Sequence, residues 1–173
     1  MRFLAACLVL LFAACGKEEA PKEKAPAAPP VDLKLAADPG EALSVLEAKE
    51  KGPGEEVVVE GRISNIVKGL VTFNLVDDSL YYCGKGQAVD ECKTPWDYCC
   101  VDTGERAAGT LIVEARDAEG RAQRGSLPTL RLLDLVAVKG KVEKDEHGNV
   151  TIVATGWFKR ERPQLPDDLH WPE

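Results

Sequence analysis

The sequence predicts a mainly β domain: a small five-stranded barrel, preceded by one helix and interrupted by a cysteine-rich insert between its second and third strands. Three observations predict it. After residue 55, apolar and polar residues alternate in five separate stretches, the period of strands that bury one face. Turns rich in glycine and aspartate separate those stretches at short spacing, as in a small closed barrel. Between the second and third stretch, residues 83–100 hold four of the six cysteines together with Pro95, Trp96 and Tyr98, a composition that no strand explains.

The totals set the frame. A chain of 173 residues suits one domain with appendages. Its net charge of −7 describes an acidic surface, which gives no electrostatic footprint for nucleic acid. Clustered cysteines in a chain this short fit an oxidising compartment.

The first fourteen residues carry one charge, Arg2, and then an apolar run that ends in small residues before Cys15. Such a run is an export signal and is too short to span a bilayer. The residues Leu11, Phe12, Ala13, Ala14, Cys15 and Gly16 resemble the lipobox of bacterial lipoproteins, with Phe12 standing where that pattern prefers leucine. The resemblance implies cleavage at 1–14, acylation of Cys15, membrane lipid as a partner, and an address at the outer membrane facing the periplasm, since Gly16 is not the aspartate that favours inner-membrane retention. The alternative is a conventional signal peptide with Cys15 an incidental thiol. Residues 15–37 then form a tether rich in Pro, Ala, Lys and Glu, with too little apolar surface to build a core.

The domain is predicted over 38–160. Asp38 is placed as a helix N-cap, with Pro39 at the first helical position and Glu41 completing a capping box; Leu43, Val45 and Leu46 supply the apolar stripe. Val57, Val59, Gly61 and Ile63 share one parity in the first strand, which runs to about Ile66. Val71, Phe73 and Leu75 share one in the second. Residues 110–116 give a third strand that turns back at 117–120 into a ribbon reaching Arg124. Residues 135–144 and 149–158 give a fourth and fifth, joined at 145–148. Residues 161–173 read as a flexible tail with Trp171 its one large anchor.

With Gly61 in the first strand, Asp77 and Asp78 ending the second and Gly140 in the fourth, the domain resembles an OB-fold of the anticodon-binding type. That resemblance implies a coiled first strand and a ligand face on strands two and three. The whole layout also resembles lipoproteins of planctomycete-type bacteria, a likeness that carries no activity with it.

The insert, 79–105, adjoins that implied face. Outside the cytosol, Cys83, Cys92, Cys99 and Cys100 are expected as two disulfides, with Cys83 and Cys92 each joined to one of the adjacent pair. The alternative is a zinc or copper site made of the same four thiolates, with Asp97 or Asp90 near it. Adjacent Cys99 and Cys100 fit poorly with the C-x-x-C spacing of zinc knuckles. A thioredoxin-like redox site lacks its C-x-x-C motif. Trp96, Tyr98, Tyr82 and Asn74 are the candidate ligand-binding residues, the aromatics either as stacking platforms or as packing against the barrel wall. Arg106, Arg116, Arg121, Arg124 and Arg131 form a loose basic group interleaved with acids, which reads as a solvated face. His147 falls in a turn and His170 in the tail, and none of the hydrolase, metalloprotease or phosphate-loop motifs occurs. The function expected is a non-enzymatic envelope module without a cofactor, binding a protein or glycan. Metal handling is the alternative, and nucleic-acid binding, which the fold family implies, is opposed by charge and compartment.

Overall fold

The computed structural model describes residues 33–83, 85, 92–165 and 171. The predicted export signal, Cys15, the predicted tether to residue 32, Asp90 and His170 lie outside them.

Five strands form: β1 (Glu56–Ile66), β2 (Thr72–Val76), β3 (Thr110–Glu114), β4 (Leu135–Lys144) and β5 (Val150–Glu161). They close in the order β1-β2-β3-β5-β4, antiparallel except for the parallel pair β3–β5, which makes an OB-like mixed barrel. The predicted alternation is what fills it. Val57, Val59 and Ile63 from β1, Phe73 and Leu75 from β2, and Leu111 and Val113 from β3 meet Val136, Val138, Val142 and Ile152 inside. β5 departs from simple alternation: Lys139 pairs with Gly156 and Gly140 with Ala154, so Thr155 is an extra residue. That one-residue slip switches the inward parity and delivers Trp157 into the core, where its ring meets Phe73 edge-on at 6.0 Å.

Gly61 and Gly140 are glycines because backbone and core come too close for a side chain. A Cβ on Gly61 would lie 2.8 Å from the Val76 carbonyl and 3.0 Å from Val45 Cγ2. One on Gly140 would run into the Val153 carbonyl and Ile152.

The helix is present but starts later than expected. α1 (Val45–Glu50) is capped by Ser44, whose hydroxyl accepts from the Glu47 N–H while Glu47 accepts from the Ser44 N–H. Residues before it cannot be helical: Gly40 has a φ of +89°, and Leu43 is held extended by two 2.8 Å bonds to Val58 and Glu60. Asp38 instead accepts from its own Gly40 N–H and from the Arg160 guanidinium. Val45 and Ala48 are the residues α1 buries in the barrel core, whereas Leu46 is exposed.

Asp77 connects helix and barrel. It is 3 % exposed and accepts from the Leu46 N–H at 3.1 Å, as well as from Ser79 N–H and hydroxyl. It therefore caps the local turn, as expected of this pair of aspartates, and α1 too. Of the tail, Glu161 is the last residue of β5, Arg162 forms an ion pair with the fully buried Asp134, and Trp171 stacks on Trp96.

Candidate functional site

The insert leaves β2 through a turn in which the Leu80 N–H donates to the Asp77 carbonyl. It has a small apolar cluster of its own, which the sequence reading did not expect: Val76, Leu80, Tyr82, Trp96, Tyr98 and Leu133. Val76 has the opposite parity to Leu75, so this cluster packs on the outside of the β1–β2 wall.

Arg62 holds the insert to the barrel. Only 5 % exposed, it donates to Asp78 at 2.6 Å and to the Leu133 carbonyl at 3.1 Å, and its guanidinium lies 5.3 Å from the Tyr82 ring centre. Lys85 also donates to the Asp78 carbonyl. Tyr82 and Tyr98 meet edge-on at 6.3 Å, both buried, and burial pushes the Tyr98 phenol well above its usual range.

Beyond the described Cys92, a single 3₁₀ turn (Pro95–Asp97) sets Trp96 inward. Tyr98 then takes a left-handed conformation, φ +50°, and a tight turn follows in which the Val101 N–H donates to the Tyr98 carbonyl. The adjacent Cys99 and Cys100 occupy the middle of that turn. In an extended chain their side chains would point to opposite faces; here their sulfurs lie 3.9 Å apart and both face Cys83.

The four thiols converge. Cys83 Sγ is 3.5 Å from Cys100 and 3.9 Å from Cys99, and Cys92 Sγ is 3.8 Å from Cys99. Cys83, Cys92 and Cys99 lie within 4.8 Å of one another. Burial, reinforced by the neighbouring thiols, pushes the Cys83 thiol far above its usual range. The expected disulfides are not formed among these residues: no pair of the four sulfurs is near the bond length of about 2.05 Å.

After the cysteines comes α2 (Thr103–Ala108), a helix missed from the sequence. Its signal was legible: Asp102 accepts from Gly104 and Glu105, with a glutamate three residues after the cap. At its far end Lys49 of α1 donates to the carbonyls of Ala107, Ala108 and Thr110.

Between β1, β2, the 3₁₀ turn and α2 lies a cleft of about 480 Å³, lined among others by Ser64, Asn65, Asn74, Trp96, Tyr98 and Arg106. Arg106 is fixed by its bond to the Asp97 carbonyl. Of the predicted ligand residues, Asn74, Trp96 and Tyr98 are brought together here. Tyr82 packs behind them against Arg62. The aromatics are packing residues more than open platforms, since Trp96 is 8 % and Tyr98 1 % exposed. The sequence reading missed Ser64 and Asn65 because they are consecutive, and both line the cleft where β1 slips by one residue against β2 between Ile63 and Asn65, an irregularity of pairing that no local pattern shows.

The predicted basic group is dispersed. Arg116 pairs with Glu114 and Glu143, and Arg121 with Asp117 and Glu119. His147 is exposed in the β4–β5 turn. No family model matches the chain, and no curated protein is significantly similar to it.

Proposed function

We propose that the protein is a non-enzymatic binding module, held at the cell envelope by an acylated Cys15, that takes a small polar ligand of saccharide type in the cleft beside β1 and β2. The observation that carries this reading is the cleft lining. Side-chain amides (Asn65, Asn74) and hydroxyls (Ser64, Thr103, Thr110) offer both donors and acceptors, one aspartate and one arginine balance in charge, and aromatic residues form a wall. A volume near 480 Å³ admits one or two sugar rings but not a folded partner. The net charge of −7 favours a neutral ligand over a polyanion. The OB resemblance implies a ligand face on strands two and three; the cleft shares β2 with that face but takes its other barrel wall mainly from β1.

The test is an amide-resolved NMR titration with soluble N-acetylhexosamine oligosaccharides. Shifts are expected at Asn65, Asn74 and Arg106, and Asn74→Ala should weaken binding about five- to tenfold, the worth of one lost hydrogen bond. No shifts with saccharides, or tight binding of single-stranded DNA at physiological salt, would refute the reading. The anchor is checked separately: metabolic labelling with a palmitate analogue should mark the native protein and not Cys15→Ala.

A second reading, a lipoprotein carrying zinc or copper as cargo, is favoured by the thiol contacts of 3.5–3.9 Å. It requires an ion that a chelator removes readily from the folded protein.

A further inference from the structure

We propose that Cys83, Cys92, Cys99 and Cys100 form a closed, four-thiolate structural site for one zinc ion, and that this ion builds the aromatic wall of the cleft. This commits to an ion that stays, against the cargo reading.

The geometry is that of a coordination shell. With zinc–sulfur bonds of about 2.3 Å, a tetrahedron sets its sulfurs about 3.8 Å apart. The four recorded contacts, 3.5, 3.8, 3.9 and 3.9 Å, scatter around that edge. Cys83, Cys92 and Cys99 lie within 4.8 Å of one another, and Cys100 joins this group through its contacts with Cys83 and Cys99, so closing the shell requires Cys100 to draw in toward Cys92.

The spacing that speaks against a zinc knuckle is overcome by the turn. A C-x-x-C loop serves to aim two sulfurs at one ion; the left-handed Tyr98 and the turn closed by Val101 do the same for neighbours in sequence. A non-glycine residue in that conformation is uncommon, and here it sits immediately before the paired thiols.

The donor set selects the ion. Among the described residues the grouped donors are the sulfurs of Cys83, Cys92 and Cys99, which suit a soft or borderline metal, and with Cys100 as the fourth ligand no position is left open for chemistry. Such a site stabilises the fold to which its ligands belong.

Its effect is confined by the packing. The barrel core and the insert cluster are separate sets of buried residues. Trp96 and Tyr98 lie in the chain between Cys92 and Cys99 and belong to the insert cluster. Loss of the ion should therefore undo the cleft wall and leave the barrel standing.

The test uses the full chain purified from its membrane. Elemental analysis should give one zinc per chain, and intact mass under denaturing, non-reducing conditions should show all four insert cysteines as thiols. A strong chelator should act slowly; once zinc is out, tryptophan fluorescence should change while the strand signal in circular dichroism persists, and zinc alone should reverse the change. Cobalt in place of zinc should give the visible and near-ultraviolet bands of a tetrahedral thiolate site. Cys83→Ser should lower zinc retention at least tenfold; should that variant misfold, the chelation and cobalt arms on the native sequence still decide. A mass short by the hydrogens of two disulfides, with no metal, would overturn the proposal, as would four free thiols that give no cobalt–thiolate bands. Zinc that exchanges within the mixing time would overturn the structural role in favour of cargo. The saccharide titration is made on the untreated protein, so the failure of one proposal is read separately from the failure of the other.

Discussion

Asp77 does two jobs with one carboxylate. Its burial raises the cost of charge, yet the bonds from Ser79 and from the α1 backbone N–H groups of Leu46 and Val45 outweigh that and hold its pKa below the usual carboxylate value. A depressed pKa means that its contribution is present above the unfolded-state value and is lost as pH falls through the folded one. Thermal melts across the acid range should therefore show a steeper loss of stability in the native protein than in Asp77→Asn. At neutral pH that variant should be destabilised by about 1–2 kcal/mol, the worth of a helix cap. The pair Asp77–Asp78 was recognisable in the sequence as turn-formers, and Asp77 does bond its own turn. Its second partner is 31 residues away, a distance at which no local pattern can be read. Arg62 is similar: it looks like any polar position of β1 until the insert folds over it.

At the scale of elements, the strands were legible and the exceptions were not. β4 came out at its predicted bounds, because five or six alternating residues specify a half-buried strand without help. The helix cap was misplaced because Asp38-Pro39-Gly40-Glu41 carries the local signal while Leu43, paired with β1, forbids the conformation. The slip at Thr155 was invisible since it depends on how β4 and β5 register. These close approaches also rank two glycines of the same sheet. Gly140→Ala meets backbone and core and should cost about 1–3 kcal/mol. Gly156→Ala meets chiefly the end of the Leu35 side chain, which can move, and should cost distinctly less. Urea unfolding of the two variants side by side checks the order.

For the whole molecule, the site is a product of assembly. Cys83 follows β2, the paired cysteines follow a 3₁₀ turn, Asn74 lines the cleft from the barrel with Trp96 and Tyr98, and Trp171 returns from the far end of the chain to stack on Trp96 at 6.1 Å. The sequence displayed the cysteines and the aromatics as a cluster, which is why the insert could be singled out. Their chemistry turned on one backbone angle at Tyr98 that composition does not encode. The tail contact predicts a modest, local effect: Trp171→Ala should alter Trp96 emission and lower stability by about 0.5–1.5 kcal/mol, the range for an aromatic pair. A fluorescence-monitored melt compared with one followed by circular dichroism reads both quantities. Among the described residues no helix is long and apolar enough to cross a membrane.

The way the chain enters the domain has a mechanical meaning. Residues 33–35 run parallel to β5, with the Leu35 N–H donating to the Trp157 carbonyl and the Trp157 N–H to that of Leu33. Just downstream, Arg160 grips Asp38, the Gly40 carbonyl and Glu60 together. A pull on the N-terminus along β5 thus loads several bonds in shear at once, where a perpendicular one would open them singly. Load arriving from that side is shared between β5 and, through Arg160 and Glu60, β1.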